Sequence, residues 1–169
     1  MLTLLLSSLR RPIWLALMSV AAMTAPMDQA AGSLIWDWSY SGSGVVASGT
    51  FTTNDTPDGS GFYLITGITG TRNGETITGL QPVGTPIPGN EPYAVDNLIR
   101  LGTPQLTGDG FGYSTAGGNF SNPFFASFLS TPGYLEVFSA PPFTPGSENL
   151  GPEDSELPIS FSEIGRAHV

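Results

Sequence analysis

The chain has 169 residues, 40% of them hydrophobic, which is enough for one core and leaves little room for a second domain. Its 14 acidic residues stand against five basic ones, all Arg, for a formal charge of −9. That balance excludes a nucleic-acid partner, since neutralising phosphates takes clustered Lys and Arg. The lack of Cys removes disulfides, thiolate nucleophiles and thiolate metal sites, and the lack of Lys removes amine nucleophiles.

At the N-terminus, Arg10 and Arg11 precede an apolar run from Ile13 to Met23, then small residues and the polar pair Asp28-Gln29. This is the layout of a secretory signal peptide over residues 1–31, with cleavage expected after Ala22, Ala25 or Ala31. The run is short for a membrane span, so the segment is expected as a signal-peptide helix ahead of an exported domain.

Over residues 32–140 the 22 Gly and 15 Pro of the chain break helices, and Thr, Ser, Phe, Leu and Ile favour strands. Trp36, Trp38 and Tyr40 alternate with Asp37 and Ser39, which predicts a first strand with three aromatics on one face. A Ser41–Gly44 turn leads into a second strand over Val45–Thr53, and a polar loop, Asn54–Gly61, follows. Phe62–Thr71 and Glu75–Leu80 flank Asn73-Gly74, the strongest short-range hairpin signal, because both turn positions need positive φ. In that hairpin Arg72 faces Glu75, Gly70 faces Ile77 and Ile68 faces Gly79. Leu64, Ile68 and Ile77 then share the buried face and Thr69, Thr71, Thr76 and Thr78 the other, with the Arg72–Glu75 pair exposed.

The proline-rich stretch Gln81–Pro92 reads as a surface loop, and Tyr93–Leu101 as a strand by a narrow margin over a helical turn. Further strands are expected at Gly110–Thr115, Phe124–Leu129 and Tyr134–Ser139. The fold class is therefore all-β: an antiparallel β-sandwich or curled sheet of about seven or eight strands, with an up-and-down β-barrel as the alternative. Residues 141–162 read as a Pro-rich acidic tail or linker carrying Glu148, Glu153, Asp154 and Glu156. Residues 163–169, Glu-Ile-Gly-Arg-Ala-His-Val, resemble the in-frame translation of a sequencing adapter, so the natural chain is expected to continue differently past Ser162.

Few residues suggest chemistry. His168 is the single histidine and falls in the adapter-like segment, which removes histidine triads and histidine metal sites. Paired carboxylates for glycosidase-type work have Glu75, Glu91, Asp96 and Glu136 as candidates, against the reading that these are solvated surface acids. Asn54, Asp55 and Asp58 offer calcium-loop oxygens at near-alternate positions with Gly59 at the turn, but the closing bidentate Glu is missing, and an ordinary polar loop is the competing reading. Asp96, Asn97 and Asp109 are further oxygen donors. Trp36, Trp38 and Tyr40, with Phe124, Phe125, Tyr134 and Phe138, suit a carbohydrate-stacking platform if exposed and a core if buried.

The runs Ser48–Thr53 and Gly61–Gly74 resemble exported bacterial proteins of the PEP-CTERM sorting class, as do Asn90–Ile99, Gly110–Ser114 and Tyr134–Glu136. The resemblance covers Leu34–Ser162. It implies export followed by attachment to the cell surface or release into an extracellular matrix, in association with exopolysaccharide or the cell envelope. The sorting signal itself, Pro-Glu-Pro with an apolar helix and terminal Arg cluster, is missing. A membrane therefore enters only during export or through an absent C-terminal anchor. The function expected is that of a non-enzymatic surface or matrix protein without a cofactor. A carbohydrate- or calcium-binding β module is the alternative, and a carboxylate-based hydrolase comes behind both.

Overall fold

Period-two alternation builds one continuous wall of strands. The computed structural model describes residues 32–143 and 155–166, so the signal-peptide reading, His168 and the acids Glu148, Glu153 and Asp154 lie outside the described residues. The strands are β1 (Ser33–Gly42), β2 (Val45–Asn54), β3 (Tyr63–Arg72), β4 (Glu75–Leu80), β5 (Leu98–Ile99), β6 (Tyr113–Thr115), β7 (Phe120–Ala126), β8 (Gly133–Ser139) and β9 (Ser155–Arg166). The sheet runs β2-β1-β9-β8-β7-β6-β4-β3-β5, and a further β2–β3 pairing closes it. Eight strands thus form an antiparallel up-and-down barrel, with β5 an extra strand paired to β3. Closure corrects the expectation of a sandwich: one sheet curls onto itself and removes its own edges.

Alternate residues point inward and fill the barrel. Trp36, Trp38 and Tyr40 from β1, Val45, Ala47 and Phe51 from β2, and Ile159 and Phe161 from β9 all join one buried cluster with Phe111 and Tyr113. On β3 and β4 the outward positions are mostly threonine, and Thr69, Thr71, Thr76 and Thr78 are all exposed, as their alternation predicts. This aromatic-in, threonine-out wall is the inverse of the lipid-facing band of a membrane barrel.

The β3–β4 hairpin turns at Asn73 (φ 49°) and Gly74 (φ 82°), and Arg72 pairs with Glu75 in register as expected. Two details of the expected hairpin are corrected. A bulge opposite Thr52/Thr53 inserts one residue into β3, so Ile65 points inward and Leu64 lies outward at 37% exposure. The ladder holds Thr71–Thr76 and Arg72–Glu75, while the expected Gly70–Ile77 and Ile68–Gly79 pairs do not form and β4 moves on to pair with β6.

The Gln81–Pro92 stretch lacks strand, as predicted, but it is no simple surface loop. It belongs to a long crossover from β4 to β6 that packs on the barrel's outer wall, burying Ile87 and Val95. Gly89 lies so close to Ser139 on β8 that an added Cβ would fall 2.4 Å from its hydroxyl. Asn97, at φ 53°, pins the crossover through its side chain, donating to Gln81 O and accepting from Gly112 N. Of the expected Tyr93–Leu101 strand only Leu98–Ile99 remains, as β5.

The second half of the predicted tail is also corrected. Ser155 onward forms β9 between β8 and β1, with Leu157, Ile159 and Phe161 on the inner face. Pro158 is tolerated because β9 pairs with β8 over Ser155–Ile159 and with β1 only from Ile159 onward, so one side of Pro158 has no ladder partner. The strand crosses from Ser162 into the adapter-like residues, whose Glu163–Arg166 pair with Ile35–Trp38.

Trp38, Gly49 and Gly70 occupy one row across β1, β2 and β3. The two glycines meet backbone to backbone, and a Cβ on Gly70 would fall 2.2 Å from Ser48 O at φ 143°, a conformation that L residues avoid. Gly70→Ala is expected to cost roughly 2–4 kcal/mol from strain and overpacking together, read as a lower urea midpoint with an unchanged slope.

Candidate functional site

Two polar regions stand out, one inside the barrel and one on its wall. Inside, alternation places Arg72 inward at the end of β3 and Glu136 inward in the middle of β8. The guanidinium donates through Nε to Glu136 Oε1 at 2.8 Å and through Nη2 to Oε2 at 2.9 Å, a bidentate pair. Tyr40 OH donates to Oε1 at 2.5 Å and shares a hydrogen bond with Tyr113 OH. The ring of Phe138 covers the guanidinium at 3.9 Å from its centroid.

Glu136 is 0% exposed and Arg72 8%. Burial opposes the Arg72 charge, but the hydrogen bonds and charge of Glu136 more than offset it and raise its pKa above the ordinary value. Burial also raises both tyrosine hydroxyls, Tyr40 well above its usual range, so both stay protonated as donors. Each group is spent on another, and aromatic rings fill the space around them. The arrangement suits structural locking and offers no approach to a substrate.

This corrects the expected exposed Arg72–Glu75 pair: Arg72 is buried on Glu136. Glu75 remains on the rim, where the Thr115 side chain and then Asn119 hold its carboxyl below the usual carboxylate range. The other candidate acids do not gather into a catalytic pair. Glu91 accepts from Gly89 N, and Asp96 accepts from Leu98 N with its pKa raised by burial.

The calcium-loop candidates are occupied locally. Asn54 Oδ1 accepts from Leu64 N, Asp55 from Gly32 N and Thr56 Oγ1, and Asp58 Oδ1 from Ser60 N and Phe62 N. These bonds are those of an Asx-type turn closing the β2–β3 loop. Among the described residues no group of three or more acids and histidines is placed to hold a metal ion. Trp36, Trp38 and Tyr40 are 1–2% exposed inside the barrel, so no stacking platform forms from them.

The second region lies outside, where the crossover stands against β7, β8 and β9. Asn122, Val137 and Glu156 face one another in register and cross three strands as one row. With that row a cavity of about 500 Å³ is lined by the rings of Tyr93, Phe124 and Phe128 and by the polar residues Asn90 and Asp109. Phe124 stacks on Phe128 at 6.5 Å between centroids, and Phe128 and Tyr93 are 73% and 53% exposed. Asn122 is buried, with its Nδ2 donating to Asp109 O at 3.0 Å and Phe111 O at 3.1 Å.

These lining residues come from separate elements, and only Phe124 and Asp109 were among the sequence-level candidates. The available signal was the adjacent pair Phe124-Phe125. On one strand neighbours point to opposite faces, so one of the two had to leave the core.

Comparison with known proteins finds no matching family model, no matching curated protein and no matching solved structure. The functional reading therefore rests on the chain's own geometry.

Proposed function

We propose that the protein is a non-enzymatic, exported surface or matrix module that binds a ligand on the outer wall of its barrel. The observation carrying this reading is the contrast between the two polar regions. Inside, Arg72, Glu136, Tyr40 and Tyr113 satisfy one another in a packed aromatic interior. Outside, a cavity of about 500 Å³, within the usual range for small-molecule sites, carries exposed aromatic rings and convergent polar groups. Export is supported by the Arg10-Arg11 and apolar-run pattern and by a surface rich in Thr, Ser and acids.

Expression of the full chain in a Gram-negative host, with mass spectrometry of each fraction, tests the compartment. The expected result is a chain beginning after Ala22, Ala25 or Ala31 in the medium or at the protease-accessible surface. A full-length chain retained in the cytoplasm overturns it.

One observation favours a second reading: Asp109 and Glu156 both line the groove, as the two acids of a glycosidase would. Both are exposed, however, whereas a general acid working near neutral pH needs a carboxyl raised by burial. Binding is the better use of this pair.

A further inference from the structure

Resting on the binding-module reading, we propose that the outer groove is a site for an uncharged saccharide chain, with Tyr93, Phe124 and Phe128 as stacking surfaces and Asn90, Asn122, Asp109 and Glu156 as hydroxyl partners.

The composition of the groove decides the ligand class. Exposed rings such as Phe128 cost free energy in water unless something covers them, and a flat ring covers the C–H face of a sugar well. A purely apolar ligand is disfavoured by the polar lining, where Asn122 and Glu156 would lose water without compensation. Sugar hydroxyls supply that compensation, because each donates and accepts. Asn90 and Asn122 are 4% and 3% exposed yet line the cavity. All three described bonds of the Asn122 side chain use Nδ2, and no described hydrogen bond ends on its Oδ1 or on the Asn90 side chain. Neither side chain is among the described fully enclosed polar groups that lack a partner, which are Trp38 Nε1, Ser121 Oγ and Ser139 Oγ, so the unbonded amide ends open onto the cavity, where sugar hydroxyls can pair with them.

Charge narrows the class further. Two carboxylates face the groove, and the described cationic side chains lie elsewhere: Arg72 inside the barrel and Arg100 over the Phe62 ring, 4.6 Å from its centroid. An acidic polysaccharide would therefore meet repulsion with no neutralising partner, on a chain of formal charge −9. The row of Asn122, Val137 and Glu156 spans two strand spacings, about 10 Å, which suits an extended chain rather than a single small ion.

The test is calorimetric titration of the full chain with cellohexaose, laminarihexaose and mannohexaose, alongside hexagalacturonate, at low and high salt. At least one uncharged hexasaccharide should bind, with an affinity that salt leaves within twofold, since no charge pair is screened. Phe128→Ala and Tyr93→Ala should each weaken that binding tenfold or more, and for Phe128→Ala the thermal midpoint should move only slightly, because that ring is 73% exposed and gives up only a stacking contact with Phe124. Absence of binding to all three uncharged chains, binding untouched by the ring variants, or preference for hexagalacturonate would falsify the ligand class while leaving export and the binding module standing. Release of new reducing ends from a bound hexasaccharide, lost in Asp109→Asn, would instead overturn the non-enzymatic reading and keep the saccharide.

Discussion

Glu136→Ala is expected to destabilise the barrel by about 3–5 kcal/mol, the usual effect of removing one partner from a buried ion pair. The cost arises because Arg72 keeps its charge inside the barrel, where its Nε and Nη2 lose their acceptors and Tyr40 OH loses one too. Total stability for a domain of this size is about 5–15 kcal/mol, so the variant should sit near the edge of folding at room temperature. A second variant separates the loss of an attraction from the penalty of an orphaned charge. In Arg72→Met/Glu136→Leu both charges leave together, and much of the loss should return, since apolar replacements of buried pairs are often near neutral. Urea denaturation of the wild type and both variants at one pH makes the comparison. If the double variant is as unstable as Glu136→Ala, the pair contributes net attraction beyond what packing can replace, and the locking role assigned to it becomes larger. If Glu136→Ala lowers the unfolding free energy by less than about 1 kcal/mol, Glu136 is not the buried partner of Arg72.

The residues of this interior network were individually visible in the sequence, but their meeting was not. Arg72 has the parity of Ile68 and Gly70, and Glu136 the parity of Tyr134 and Phe138, so alternation alone put both charges on an apolar face. The Asn73-Gly74 turn supplied a nearer partner, Glu75, and local register made that pairing look sufficient. What overrode it was closure: β3 and β8 face one another only once the sheet has curled, and nothing local to either strand encodes that distance. The same limit explains the sandwich expectation, because a meander of eight strands has one hydrophobic pattern whether it folds in two or rolls up.

Local signals did carry the hairpins. Trp36-Asp37-Trp38-Ser39-Tyr40 and Val45–Thr53 pair in β1 and β2 as their alternation requires. The bulge in β3 was invisible because an extra residue leaves composition unchanged and reverses only the face, which is why Leu64 and Ile65 exchange roles. β9 was hidden by Pro158, although Leu157, Ile159 and Phe161 alternate cleanly. The outer groove was the least legible part. Its lining takes one row from β7, β8 and β9 and further residues from loops around residues 90, 109 and 128, so only Phe124-Phe125 hinted that a ring had to face outward.

Trp38→Ala should be comparably severe, costing about 3–5 kcal/mol as buried Trp and Phe truncations do. The indole lies at the centre of the aromatic cluster, 5.1 Å from Phe51, 5.7 Å from Phe111 and 5.8 Å from Tyr40 between ring centroids. Its row continues with Gly49 and Gly70, which have no side chains to collapse into the void, so the cavity would persist rather than relax. Trp38→Phe tests whether shape or polarity is responsible. The Trp38 Nε1 has no hydrogen-bond partner, so replacing indole by phenyl forfeits ring area but no polar contact. Its cost should stay near 1–2 kcal/mol, and loss of the buried unpaired N–H should offset part of that. Trp36→Phe behaves differently, because Trp36 Nε1 donates to Thr53 Oγ1 at 2.9 Å in the buried wall. Losing that donor adds about 1 kcal/mol to the lost ring area, so Trp36→Phe should be the more damaging of two chemically identical substitutions. The order of urea midpoints, Trp38→Phe above Trp36→Phe above Trp38→Ala, follows from geometry that composition does not contain. Reversal of the first two would mean that Trp38 Nε1 has a partner inside the barrel, and the interior would then be less completely packed than its rings imply.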